Sequence, residues 1–191
     1  MSDIKNCPRC QNEFECKSDD VKNCHCALVE LTQKQRDKML KQYDDCLCAL
    51  CLERLRIEYK INTSISVDQF IDLLLRSSLS ERRPIDDREC LQGMVNNSNL
   101  LVTAWDGEKL IGIARSMTDF HYACYLSDLA VDKQYQNSGV GRKLQAVTKE
   151  QLAERCKLIL ISAPDANAYY EHIGYINNER CWVLDGKQQL N

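Results

Sequence analysis

Asp128-Leu129-Ala130-Val131-Asp132-Lys133-Gln134-Tyr135-Gln136-Asn137-Ser138-Gly139-Val140-Gly141-Arg142 decides how this chain is read. The stretch opens as an apolar strand, passes through a loop carrying two glycines, and continues as a helix with Leu144 and Val147 on one face. A strand that ends in such a loop and opens a helix makes an anion site. The first amides of the helix have no intrahelical partner, the dipole adds partial positive charge, and glycine lets a phosphate approach the backbone. This arrangement suits a pyrophosphate without many lysines. It is not the dinucleotide fingerprint, because the glycines fall in a different frame and no strand-helix-strand repeat surrounds them.

Working outward, the upstream sequence supplies a layered α+β pattern. Ser66-x-x-Gln69 is a capping box before Phe70, Ile71, Leu74 and Leu75 at helical spacing. A second helical stretch from Asp86 sets Leu91, Met94 and Val95 on one face. The period then changes to that of strands. Leu100 to Trp105 and Leu110 to Ala114 flank the turn Asp106-Gly107, and His121 to Val131 reads as a third, longer strand. Downstream, Leu158 to Ile161 is a continuous apolar run, as expected of a strand buried on both faces. Pro164 starts a short helix that Gly174 stops.

Two motifs in this order resemble the GNAT superfamily of N-acetyltransferases. Gln136-x-x-Gly139-x-Gly141 after Asp128-Leu129-Ala130-Val131 is similar to its motif A. Ala166-Asn167-Ala168-Tyr169-Tyr170-Glu171-His172-Ile173-Gly174-Tyr175 looks like its motif B, with Tyr175 at the usual phenylalanine position. The resemblance spans about residues 63 to 185 and implies a mixed, mostly antiparallel sheet flanked by helices, with a V-shaped splay between two parallel strands. It implies acetyl-coenzyme A as cosubstrate, held by the amides of Gln136, Asn137, Ser138, Gly139, Val140, Gly141 and Arg142. Strands near Leu129 to Val131 and Leu160 to Ser162 would diverge, leaving backbone groups of Leu129, Ala130 and Val131 for the pantetheine arm, with Asn167 and Tyr170 on the motif B side. Tyr170 matches the tyrosine that protonates the departing thiolate in many relatives, and Tyr169 is its rival. For the base, Asp128 is the carboxylate near the reacting strand, and a water chain is the alternative.

The N-terminal third is built differently. Eight of the twelve cysteines, Cys7, Cys10, Cys16, Cys24, Cys26, Cys46, Cys48 and Cys51, fall within its first 51 residues, whereas Cys90, Cys124, Cys156 and Cys181 are scattered. In a reducing compartment such spacings are more often metal ligands than disulfides, and eight thiolates fit two closed, structural zinc sites of four cysteines each. Thr32-x-x-Gln35 is a capping box for a helix through Tyr43, and a second helix is expected from Leu47 to Tyr59. Few apolar residues precede Ala27, so metal binding would have to supply the folding energy. The pattern resembles the small cysteine-rich CWC proteins over residues 7 to 55, with His25 where that family has tryptophan, a non-ligand position.

The expected organisation is a zinc module over residues 1–60 and an acetyltransferase domain over residues 61–191. Net charge is −3, with the first 60 residues balanced, which argues against bulk binding to nucleic acid or an anionic membrane. No apolar leader or spanning run is legible, so a cytoplasmic protein is expected, with homodimerisation open. The acceptor would be a primary amine on a small molecule or protein. A different reading makes the zinc module an adaptor for protein or RNA, with the second domain as a coenzyme A sensor.

Overall fold

Ile57-Glu58-Tyr59-Lys60-Ile61 alternates β-branched or aromatic with charged residues, and it forms a strand where the helix was expected to continue. The computed structural model describes residues 3–190, the side chain of Asp165 excepted. The chain divides into two units, one up to Ile159 and one from Leu160 onward.

The first unit begins with an antiparallel ribbon, β1 (Asp3–Asn6) and β2 (Glu13–Cys16). Helix α1 (Gln33–Gln42) follows, with the Thr32/Gln35 capping box formed in both directions. Helix α2 (Ala49–Arg56) ends earlier than expected and passes without a linker into β3 (Ile57–Ile61). The alternation of Ile57, Tyr59 and Ile61 lets that segment pair along β4, which outweighs its helix propensity.

A five-stranded sheet runs in the order β3, β4 (Leu100–Asp106), β5 (Lys109–Thr118), β6 (Ala123–Val131), β7 (Lys157–Ile159). All pairings are antiparallel except β6 with β7, which is parallel. The expected hairpin thus forms, and both arms are longer than the sequence suggested. The third strand starts at Ala123, because the Asp119 carboxylate gathers the amides of His121, Tyr122 and Ala123 into a turn. The apolar run at 158–161 gives only a short edge strand whose Ile159 is 46% exposed, not a strand buried on both faces. Among the described residues it is last in the sheet order, with a strand neighbour on one side only.

Helix α3 (Val67–Ser77), opened by the Ser66/Gln69 capping box, and α4 (Arg88–Asn96) bury Phe70, Leu73, Leu74 and Leu91 against Leu101, Trp105, Ile113 and Ala130 of the sheet. Each fully buried side chain of this size contributes about 1.5–3 kcal/mol. Helix α5 (Val140–Glu150) packs at Gly112, the strand neighbour of Ile113 and so on the opposite face. A Cβ at Gly112 would stand 3.0 Å from Leu144 and 3.3 Å from Val140, so the missing side chain sets how closely α5 approaches.

A buried ion cluster ties the first helical layer to the sheet. The β5–β6 register jumps across Ser127, and this bulge frees the Ser127 carbonyl to accept from Arg83 Nη2 at 2.7 Å. Beside it, Asp128 is buried, with Arg83 on Oδ1 and Arg115 on Oδ2. Arg115 reaches on to the Met94 carbonyl and to Ser98.

The second unit contains a short 3-10 turn (Pro164–Ala166) and helix α6 (Asn167–His172), terminated at Gly174 as the sequence predicts. The described residues after it form no strand.

Replacing Asp128 with asparagine leaves the buried Arg115 guanidinium, and the partly exposed one of Arg83, without a countercharge and should cost about 3 kcal/mol of stability. Urea unfolding monitored by circular dichroism checks this; an unchanged midpoint would contradict the structural role.

Candidate active site and metal centre

The loop after β6 is built by Asp132. Its carboxylate accepts from the Gln134 amide at 2.9 Å and starts a 3-10 turn over Lys133–Tyr135. Arg76 pairs with the same carboxylate, and Lys109 Nζ lies 2.9 Å from it. Burial would raise the Asp132 pKa, but Lys109, the Gln134 amide and Arg76 outweigh it and hold it below the ordinary carboxylate value. The stabilisation this adds is therefore complete above about pH 4 and is lost only as pH falls through the lowered value.

From there the chain turns into α5. Gln136 donates from its side chain to the Val131 carbonyl, and Ser138 Oγ donates to the Tyr135 carbonyl. Asn137 and Gly139 adopt φ of 56° and 87°, and the first backbone bond of α5 runs from Lys143 N to the Gly139 carbonyl. The amides of Val140, Gly141 and Arg142 therefore precede the intrahelical ladder and face outward at the positive end of the helix. Nothing lies within 4 Å of the Cβ position of Gly139, so space is open above the turn.

The sheet provides a second feature beside this loop. β7 pairs with β6 only from Ala123↔Lys157 to Tyr125↔Ile159, whereas β6 runs on to Val131. On its other side β6 remains paired with β5 as far as Val131↔Gly112. Among the described residues, Leu126 to Val131 thus has one ladder edge without a strand partner; Leu129 and Val131 turn their backbone groups to it, the Val131 carbonyl accepting from Gln136, whereas Ala130 faces β5. Unpaired backbone groups of this kind need a hydrogen-bonding partner.

Asp128 is on the same stretch, but its carboxylate points to the α3 and α4 side with both oxygens taken by guanidiniums. Sequence reasoning did not foresee this, because Arg83 lies far from Asp128 along the chain and nothing local announces the pairing.

In the second unit, Asn167 Oδ1 accepts from Ser162 Oγ at the start of α6. The Tyr170 ring stands edge-on to Tyr169 and Tyr175, with centroids 5.2 and 5.5 Å away. Burial and then the nearby Tyr169 raise the Tyr170 pKa, so its phenol stays protonated at neutral pH.

The cysteine module assembles one compact donor group. Cys7, Cys10, Cys48 and Cys51 bring their sulfurs within 4.8 Å of one another, with Cys7 and Cys51 buried. The Cys10 and Cys48 sulfurs are 3.7 Å apart. A tetrahedral ion with metal–sulfur arms of about 2.3 Å needs an edge of about 3.8 Å, so the group fits a metal such as zinc. Burial raises the Cys7 thiol, but amides of Cys48, Cys10 and Arg9 prevail and hold it at about 6, while burial and the neighbouring thiols push Cys51 up. Four clustered thiols cannot all ionise without a cation among them.

Among the described residues this tight spacing is met by those four cysteines alone. The other four are in looser association. Burial and then Cys46 raise Cys16 to about 11, and burial and then Cys24 raise Cys26. His25 directs Nε2 to the Leu47 carbonyl at 2.9 Å and packs edge-on to Phe14. Among the described residues no helix is long and apolar enough to cross a membrane.

Comparison with known proteins agrees with both halves. The cysteine-rich CWC family matches residues 7–53, and the family described as an acetyltransferase (GNAT) domain matches residues 81–187. No curated protein matches the chain. Among solved structures, a GNAT-family acetyltransferase of Streptococcus pneumoniae TIGR4 is similar at 18% identity, with TM-score 0.52, covering 67% of this chain and 98% of that one. The aminoglycoside N-acetyltransferase AAC(6')-Iy in complex with CoA is similar at 14% identity, with TM-score 0.53, covering 69% of this chain and 95% of that one. These likenesses are of fold. Since the GNAT match takes in more than half of the residues, the chain belongs to the GNAT acetyltransferase family.

Proposed function

We propose that this protein transfers the acetyl group of acetyl-coenzyme A to a primary amine of a small molecule or protein. The observation that carries the reading is the ladder edge of β6 left open from Leu126 to Val131, next to a loop whose amides precede the helical ladder of α5. The pyrophosphate would lie against Gln136 to Arg142, and the amides of the pantetheine arm would pair with the open edge of β6 at Leu129 and Val131, with the Ala130 backbone turned to β5. Asn167 and Tyr170 are assigned to the cosubstrate from the motif resemblance alone. Acetyl-coenzyme A contributes the electrophilic thioester. The protein aligns it with a neutral amine, which is worth more than any single side chain in such a reaction.

In the transfer, the amine nitrogen forms the new C–N bond while the C–S bond breaks. Tyr170 donates its proton to the thiolate, which it can do because its phenol is protonated at neutral pH. The surplus proton of the amine passes to water, which also restores the phenol. Asp128 is the alternative base, and it could act only after Arg83 released Oδ1. The aminoglycoside acceptor of one structural relative is an amine of the proposed class.

The cysteine module, residues 1–60, is proposed to hold two structural zinc ions, the first on Cys7, Cys10, Cys48 and Cys51. The second would take Cys16, Cys24, Cys26 and Cys46, whose mutual influence supports their assignment to one group. A thiolate site of this kind suits the cytoplasm, where thiols stay reduced.

Three outcomes are expected. A Gly139→Val variant, forced to φ near 87° with a β-branched side chain, should lose coenzyme A binding by calorimetry while keeping its circular dichroism spectrum; unchanged affinity would count against the loop. Tyr170→Phe should lower kcat by about 100-fold or more with little change in KM for acetyl-coenzyme A, and should abolish the alkaline limb of the wild-type kcat profile. Native mass spectrometry should find two zinc ions per chain, released by a chelator with loss of structure in the module; a single ion would remove the second site.

A further inference from the structure

We propose that Asp106 is a positioning residue for the coenzyme loop, and that through Arg56 it couples that loop to metal occupancy of Cys7, Cys10, Cys48 and Cys51. The inference rests on reading residues 136–142 as the coenzyme A site and the four cysteines as a metal site.

The chain of contacts begins inside the metal group. Cys48 is the N-cap of α2 and Cys51 lies in its first turn, so two of the four sulfurs fix the start of this helix. Over its eight residues α2 rises about 12 Å and ends on Arg56. α1 is fastened to the same point, since Gln35 of its capping box donates to the Arg56 carbonyl at 3.2 Å. No linker follows, because Ile57 is the first residue of β3 and pairs directly with Asp106.

Asp106 takes a contact on each oxygen. Arg56 Nη2 lies 3.0 Å from Oδ1, an atom that is buried and takes no aligned hydrogen bond, so the charge of Arg56 is what compensates it. On Oδ2, Tyr135 donates its hydroxyl at 2.8 Å. Tyr135 closes the 3-10 turn that leads into the loop, and its carbonyl receives Ser138 Oγ. Lys109 braces the same turn, with its ammonium 5.3 Å from the Tyr135 ring and 2.9 Å from Asp132.

The consequence is mechanical. An ion bound to the four sulfurs fixes the first turn of α2, the helix carries that constraint to Arg56, and Arg56 stabilises the carboxylate that holds Tyr135. Without the ion α2, eight residues long and too short to be stable alone, is held chiefly by the small apolar cluster of Leu47 and Leu52 with Met39 and Tyr43. Asp106 would then lose its counter-charge, and the turn before Gln136 would lose its anchor.

The test uses the full metal-loaded chain with coenzyme A as calorimetric probe. Tyr135→Phe and Arg56→Gln should each raise Kd for coenzyme A by about 3- to 10-fold, with KM for acetyl-coenzyme A rising alike and kcat little changed. Arg56→Lys should restore most of the affinity, and the double variant Arg56→Gln/Tyr135→Phe should be no worse than the weaker single one. Removing metal by chelation should weaken coenzyme A binding by a similar factor in the wild type and by none in Tyr135→Phe. Additive losses in the double variant, or wild-type affinity in Tyr135→Phe, would overturn the inference while leaving the loop reading intact. If loaded wild-type protein failed to bind coenzyme A at all, the loop reading would fall and this inference with it.

Discussion

The mismatch in length between β6 and β7 is the constraint on which the rest of the site depends. Parallel neighbours normally share a ladder along their common length, yet here pairing stops at Tyr125↔Ile159 while β6 continues to Val131. Leaving such an edge open removes several hydrogen bonds from the sheet, and it persists because the remaining contacts over-determine the strand. β5 pairs β6 from Cys124 to Val131 save at the Ser127 bulge, Ala130 sits in the core beneath α3, and Asp128 is clamped by two arginines. Among the described residues, that edge has no strand partner beyond Tyr125, and the proposed reading makes it the docking edge for an amide-bearing ligand.

The loop beyond that edge follows the same logic. Asp132, buried and charge-compensated by Arg76 and Lys109, orders the turn, and Tyr135 secures it to Asp106. Gly139 supplies the positive φ that turns the chain into α5, and Gly112 lets the helix settle against the sheet. Charge on the protein is used here to shape backbone, and the backbone then presents amides outward. On the proposed reading, this is how a chain of net charge −3 would hold an anion chiefly through backbone amides.

Much of this was legible in the residues. Capping boxes at Thr32 and Ser66, the Asp106-Gly107 turn and the glycines of the 136–142 loop act locally, so their geometry follows from a few neighbours in sequence. What the sequence hid depends on partners distant along the chain. Ile57 to Tyr59 read as helix because β4, which claims it, lies more than forty residues away. The run at 158–161 read as doubly buried, since apolar content does not reveal sheet order. The pairing of Asp128 with Arg83 and Arg115, and of Asp106 with Arg56, could not be inferred from spacing at all. Of the eight clustered cysteines, the sequence proposed two equal groups, and the tight spacing of Cys7, Cys10, Cys48 and Cys51 now distinguishes one of them.

The central claim is that a diphosphate is held by the amides of the loop while its attached arm lines the free edge of β6. An amide-resolved NMR titration of the full chain with coenzyme A tests it most directly. The account predicts that the largest shifts fall on Ser138 to Arg142 and on Leu129 to Val131. Shifts confined to other regions, or none at saturating coenzyme A, would contradict it.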